Sequence, residues 1–135
     1  MSAERALAGA VRTALMADAG VGALLGNPAR VYDDAPEGAV FPYATIGRVE
    51  SRPIDAASTP GVEHALTLHV WSRYGGRAET LDAISAMRGA LHDSALDLGA
   101  YRLVLLFAQF ADVFRSGDGV TTHGVLRLRA VTEPI

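Results

Sequence analysis

Two segments of the chain carry apolar residues at three- and four-residue spacing, the pattern of amphipathic α-helices. The first runs from Ser2, a residue type favoured at helix N-caps, to about Asp18. The second runs from Arg77 to about His92, after two glycines. The residues 21–25 are compatible with one additional turn behind the first helix. The apolar stripe of the first segment consists of Leu7, Ala10, Val11, Ala14 and Leu15. That of the second segment consists of Leu81, Ile84, either Met87 or Arg88, and Leu91.

Alternating and continuous apolar runs predict four strands. They lie at Tyr43–Val49, Val62–Ser72, Tyr101–Arg115 and Val120–Thr132, with a tight turn at Gly117-Asp118-Gly119 between the last two. A short extended piece is expected near residue 31. The order is therefore α-β-β-α-β-β. We predict an α+β fold that forms one domain over residues 1–135, with a mainly antiparallel sheet and two main helices packed on one face.

The long predicted strand at 101–115 is apolar on both sides. Strict alternation assigns Leu103, Leu105 and Phe107 to one face, and Val104, Leu106 and Phe110 to the other. Helices can cover only one face of an antiparallel sheet, and a neighbouring subunit is the simplest cover for the second. We therefore expect Val104, Leu106 and Phe110 to lie in a protein interface.

The segment Glu50–Gly61 is predicted as a loop between the first two strands. A hairpin needs only two to five residues, so about a dozen polar and proline-containing residues are in excess. Such a loop is either a contact surface or a disordered surface segment. In the first case Arg52, Ile54 and Asp55 are the expected interface residues, against an adjacent subunit or a partner protein.

Composition excludes several classes of function. The chain has a formal net charge of −3, its basic residues are all arginine, and it has no cysteine. A slightly acidic chain without a basic run is a poor sequence-specific nucleic-acid binder, and disulfides and thiolate metal sites are excluded. No signal peptide and no membrane span is recognisable, so we expect the protein to be made in a bacterial cytoplasm. An apolar content of 50% indicates that another chain covers part of the surface.

Candidate chemical groups do not form a site. His64 and His69 are five positions apart on one strand and therefore face opposite sides, where they cannot share a metal. Asp33, Asp34 and Glu37 cluster in one loop but lack the spacing of a calcium loop. No serine lies in a nucleophile elbow, and no glycine pair carries the residues of a phosphate-binding loop. We predict no enzymatic activity, no metal and no cofactor.

A series of turn and apolar residues resembles a known family. It begins with Val31, Tyr32, Pro36, Pro42 and Tyr43, continues with a strand ending near Trp71 and a glycine-initiated helix, and ends with the hairpin at 117–119. In order and spacing the chain is similar to the tail-completion, or tail-terminator, proteins of long-tailed bacteriophages and phage-like gene transfer agents.

The resemblance implies a structural protein that caps the head-proximal end of a tail tube as a hexameric ring. Such a ring stops tube polymerisation and joins the tail to the connector on the head side. The implied partners are further copies of the chain, the tail tube protein and the connector protein, while DNA only passes through the channel and no membrane is involved. After assembly the protein would reside in the tail neck. Because a passage for DNA should not hold phosphates, Asp33, Asp34 and Glu37 are candidates to face the lumen, with the outer wall of the ring as the alternative.

Two other classes remain open from the sequence. A head-completion or neck connector protein of the same particle would have a similar size and composition. A small ligand-binding or enzymatic α+β domain would need convergent polar groups in a pocket, and the sequence shows no such cluster.

Overall fold

A computed structural model describes residues 2–55 and 60–135, apart from the side chain of Asp55. Over these residues it contains three helices and one five-stranded sheet, and it confirms the predicted α+β class. The elements in chain order are α1 (Ala3–Ala17), α2 (Ala19–Leu25), β1 (Val31–Tyr32), β2 (Tyr43–Asp55), β3 (Pro60–Ser72), α3 (Ala78–Leu91), β4 (Tyr101–Arg115) and β5 (Thr122–Pro134).

Polar caps set the boundary between the first two helices. The Ser2 side chain accepts a hydrogen bond from the Arg5 backbone N–H at 3.1 Å and so caps α1. Asp18 ends α1, and its carboxylate accepts from the Val21 N–H at 3.0 Å to begin α2. The two helices meet at an angle of 80°. The predicted additional turn is therefore a separate short helix, which lies against α3.

The strand order is β1-β2-β3-β5-β4, and only the β1–β2 pair is parallel. One face of the sheet, here called the inner face, packs against the helices. α3 lies close to β5 at Gly124, where an added Cβ would lie 2.7 Å from Thr80 Cγ2. Leucines of three strands and three helices are fully or almost fully buried in the core, among them Leu7, Leu15, Leu25, Leu66, Leu68, Leu91, Leu106, Leu126 and Leu128.

The opposite side of the sheet, here called the outer face, carries none of the three helices of the described residues. Side chains alternate between the two faces along each strand. The outer face therefore carries the side chains that point away from the helices and lie opposite one another on paired strands. They include Arg52 of β2, Glu63, His69 and Trp71 of β3, His123, Arg127 and Arg129 of β5, and Phe110 and Phe114 of β4.

The prediction that Val104, Leu106 and Phe110 share one face is wrong. Leu106 is 1% exposed and belongs to the core, whereas Phe110 is 45% exposed on the outer face. The reason is that β4 shifts register twice against β5, between Leu103 and Leu105 and between Ala108 and Phe110. Each β-bulge inserts one residue and reverses the alternation of faces. Val104 lies in the first bulge and is 51% exposed.

The prediction of a loop at 50–61 is also wrong. β2 and β3 stay paired as far as Asp55 and Pro60, so residues 50–55 and 60–61 are strand, and only 56–59, outside the described residues, remain between them. Arg52 and Glu63 face each other across these strands on the outer face. Ser51 points to the other side, where it contacts His64. Pro53 is tolerated since β2 is an edge strand beyond β1.

Candidate interaction surfaces

Rings gather on the outer face at the end of the sheet where β3 finishes and β5 begins. His69 Nδ1 and His123 Nε2 are 2.8 Å apart, and the indole of Trp71 stacks on His123 with ring centroids 4.0 Å apart. Phe114 of the edge strand contacts the same imidazole at 5.0 Å. Gly47 makes room for His69, because a Cβ at 47 would lie 2.5 Å from its Nε2. The cluster is a partly buried aromatic surface with one hydrogen bond between two imidazoles.

Ion pairs occupy the other half of the outer face. Glu63 accepts hydrogen bonds from two arginines, Arg52 Nε to Oε1 at 2.8 Å and Arg129 Nε to Oε2 at 2.7 Å. These two bonds, with Arg52 the stronger cause, lower the pKa of Glu63. Arg102 and Glu133 form a further pair at the start of β4. Since Arg52 and Arg102 are largely exposed, the pairs add little stability and instead fix where charges stand on the surface.

A chain of hydrogen-bonded polar side chains links the start of α1 to the sheet. His64 is fully buried, with Nδ1 2.7 Å from Ser51 Oγ and Nε2 2.8 Å from Thr132 Oγ1. Ser51 also bonds the Glu4 carboxylate, which lowers the pKa of Glu4 after the larger effect of its own backbone hydrogen bond. Because a hydroxyl has one proton, Ser51 donates it to Glu4 and accepts from His64 Nδ1–H, while Thr132 donates to Nε2. Every polar atom of His64 is thereby satisfied, which makes it a structural residue.

Stability is expected to fall as the pH drops below about 6.5. Burial is the largest cause that lowers the pKa of His64, His69 and His123 from the usual 6.5. His69 lowers the pKa of His123 further, while Glu4 partly raises the pKa of His64 and Asp112 that of His123. The unfolded chain then takes up protons before the folded one. The contribution of these histidines to the free energy of unfolding is therefore complete above pH 6.5. It is lost as the pH falls through 6.5 toward their lower pKa values in the folded protein.

Urea unfolding at pH 8.0, 6.5 and 5.5 measures this effect. The free energy of unfolding should decrease in that order. The carboxylates with lowered pKa, namely Glu4, Glu63 and Asp118, lose their contributions only below their ordinary values of 4.5 and 3.8, so they do not disturb this window. Equal or greater stability at pH 5.5 would show that the three imidazoles are not disfavoured as cations in the folded protein.

Both edges of the sheet are open over part of their length. β1 pairs with β2 only at Ala44 and Thr45. On β4, the Leu106 carbonyl accepts from the Asp93 N–H at 2.8 Å, and the Ala108 N–H donates to His92 Nδ1 at 3.0 Å. In the described part of the chain, residues 47–55 pair only with β3 and residues 110–115 only with β5. Unpaired strand edges are the usual templates for pairing with another chain.

The two ends of the sheet differ in chemistry. The end formed by the start of β2 and by the β4–β5 turn exposes Val40, Tyr74 and Val120, each by more than half. Arg73 lies over the Phe41 ring at 4.5 Å in the same region. The turn itself is held by Asp118, whose pKa is lowered to about 2 because it accepts from the Thr121 hydroxyl and from the Thr121 and Val120 N–H groups. This end, with its exposed apolar side chains and its hydrogen-bonded turn, is a second candidate contact surface.

A groove of about 850 Å³ lies between α1 and the segment 95–101. Its wall consists mainly of small apolar side chains. The Arg12 guanidinium is already engaged in a hydrogen bond, because its Nε donates to the Val31 carbonyl at 2.8 Å. The described residues contain no group of three or more His, Asp or Glu that could hold a metal ion. The groove therefore offers apolar surface but no cluster of reactive groups.

The predicted site residues are spread over the fold. Asp33, Asp34 and Glu37 are exposed in the connection between β1 and β2, near the start of β2, and their lumen placement stays a prediction. At the other end of β2, Arg52 is exposed and Ile54 partly buried. Asp55 is the last residue of that strand, and its side chain is outside the described part.

Sequence reasoning missed the aromatic surface around His123. Trp71 and His123 are 52 positions apart, and no local pattern predicts that β3 and β5 are neighbours; the pairing Trp71↔His123 follows only from the strand order. Among the described residues no single helix has the length and apolar composition of a membrane span; α1 and α2 reach them only as a pair bent by 80°.

Comparison with known proteins agrees with this architecture. The model of the family "Tail completion protein gp17" matches residues 9–133. The tail completion protein gp17 of Bacillus phage SPP1 is 34% identical over 91 residues, which span 66% of each protein. A chain from the virion of a native gene transfer agent particle is 29% identical and superposes with a TM-score of 0.89 over 98% of both chains. The chain belongs to the gp17 family of tail completion proteins.

Proposed function

We propose that this protein is a tail terminator, which closes the head-proximal end of a phage-like tail tube as a ring of six identical subunits. The observation that carries the proposal is the superposition on a chain of a gene transfer agent virion over 98% of both lengths, at a TM-score of 0.89. A fold shared over its whole length with a particle component, together with family membership, supports a structural role. In this role the ring stops polymerisation of the tube and joins the tail to the connector on the head side.

The surface supports assembly into a closed ring. Heterologous contacts between identical subunits either close into a ring or grow into an open fibre. The chain offers two different open sheet edges and exposed apolar residues on β4, so that one side of a subunit can contact the other side of the next. The exposed apolar side chains of Tyr74 and Val120, at one end of the sheet, are available for contact with a second protein such as the tail tube protein or the connector protein.

The channel part of the proposal concerns Asp33, Asp34 and Glu37. All three are exposed, and a ring multiplies the net charge of −3 on each subunit. If they line the lumen, phosphates are repelled and DNA passes without being held. Their radial position in an assembled ring tests this: a location on the outer wall, or arginines in their place, removes the channel role. The protein would assemble in the bacterial cytoplasm and remain in the tail neck.

Particles produced without this protein test the role directly. Electron microscopy should show tails of irregular length and heads without tails, and supply of the intact protein should restore joined particles. Tails of normal, uniform length that lack only the joint, with heads that lose their DNA, would instead indicate a head-completion or connector protein. Normal particles would exclude both.

A further inference from the structure

We propose that neighbouring subunits are joined by edge-to-edge β-pairing, in which β4 of one copy adds to β2 of the next. The inference deepens the tail-terminator proposal and rests on it. It starts from the two open stretches, residues 47–55 of β2 and 110–115 of β4, which lie on opposite edges of the same sheet. A second copy of the chain therefore carries the edge that the first copy lacks.

Strand direction is compatible with this contact. Each neighbouring pair from β2 through β3 and β5 to β4 is antiparallel, so β2 and β4 run in opposite directions. When subunits are related by rotation about an axis roughly along the sheet, strand directions are preserved from one copy to the next. β4 of one copy then meets β2 of its neighbour as an antiparallel pair, which is the more favourable ladder.

The register follows from the faces and the charges. Outer residues must lie opposite outer residues, since a slip by one position would exchange the two faces. Asp112 on β4 can then lie opposite Glu50, Arg52 or Ile54 on β2, and of these only Arg52 offers an opposite charge. The same register places Phe110 opposite Ile54 and Val113 opposite Ser51. An ion pair and an apolar pair on the outer face therefore agree on one alignment.

The offset between the two edges fits a closed cylinder. Asp112 pairs with Val125, which in turn pairs with His69 of β3, whereas Arg52 pairs with Glu63 of β3. Along β3, His69 and Glu63 are six positions apart. This offset is about 20 Å along the strands, against about 19 Å for the four strand spacings that one subunit adds. The strands would tilt by roughly 45°, at the upper end of the range of closed barrels.

Other features of β2 restrict how this edge can pair with another strand. Its open stretch carries the exposed charges Arg48, Glu50 and Arg52, which disfavour an apolar or like-charged partner. Pro53 lacks an N–H and so limits how far a ladder can extend along this edge. An edge that places a carboxylate opposite Arg52, such as the edge around Asp112, is compatible with this stretch.

Disulfide trapping tests the contact, because the native chain has no cysteine. Within one subunit, positions 52 and 112 are three strand spacings and six residues apart, far beyond the roughly 7 Å that a disulfide can bridge between Cα atoms. In purified particles, the R52C/D112C variant should therefore give an oxidant-dependent ladder of cross-linked subunits that ends at six. The I54C/F110C variant, in the same register, should do the same.

Matched variants separate this contact from its alternatives. Each single-cysteine variant and the E50C/D112C variant, which is slipped by two positions, should cross-link at least tenfold less. A ladder from E50C/D112C instead overturns the register. Particles with normally joined tails that show no ladder with either predicted pair overturn the edge pairing and leave the terminator role intact. Absence of the intact protein from the tail neck overturns both.

Discussion

Replacing Asp112 with arginine is expected to reduce the fraction of heads that carry a tail to below about a tenth. In the proposed register the new arginine faces Arg52 of the next subunit, so an attractive pair becomes a repulsive one. Such a change is worth about 1 kcal/mol for one cross-strand pair. A ring of six contains the contact six times, and roughly 6 kcal/mol corresponds to a factor of about 10⁴ in ring closure.

The matched control is Asp82→Arg, which makes the same change of charge at an exposed position of α3. Asp112 is exposed as well, so both variants should keep wild-type unfolding midpoints in urea. The double variant R52D/D112R should restore part of the joining, since the pair is then present in reverse, although Asp at 52 loses the bond to Glu63. Normal joining by Asp112→Arg, or equal loss by Asp82→Arg, would contradict the proposed contact.

Leu128→Ala is expected to lower the free energy of unfolding by about 2–5 kcal/mol. Leu128 is fully buried on β5, between Leu66 of β3 and Ala108 of β4, beneath the helices. Removing its side chain leaves a cavity in the middle of the core that neighbouring strands cannot fill without losing their own pairing. Because small domains are stable by only about 5–15 kcal/mol, this loss takes a large part of the total.

Urea unfolding followed by circular dichroism measures the change, with Leu81→Ala as the control. Leu81 lies on α3 and is 52% exposed, so its truncation should cost no more than about 1 kcal/mol in the isolated protein. A similar cost for both variants would mean that Leu128 is not enclosed as the structure places it.

Much of the fold could be predicted from the sequence, since local periodicity decides it. β4 spans the predicted Tyr101–Arg115, and α3 differs from its predicted range by one residue at each end. The alternation along β3 also placed His64 and His69 on opposite faces, as found. In these elements the apolar positions follow one uninterrupted period, so burial on one side determines both the element and its orientation.

The errors arose where the period is broken or where polar residues lie in a sheet. The two bulges of β4 shift the faces of Leu106 and Phe110, and nothing in the run of apolar residues marks an inserted position. At 50–55 the charged residues and Pro53 resemble a loop, but they form an edge strand whose outer side faces solvent. The aromatic cluster around His123 depends on long-range strand order, which local patterns do not contain.

The proposed terminator is a closed ring at the head-proximal end of a tail. Reconstruction of intact particles by electron cryomicroscopy, with this chain identified in the map, would show whether this ring is present. We predict six copies related by a six-fold axis between the tail tube and the connector, with β4 of each copy alongside β2 of the next. A single copy, or absence of the chain from the tail neck, would contradict the proposed ring.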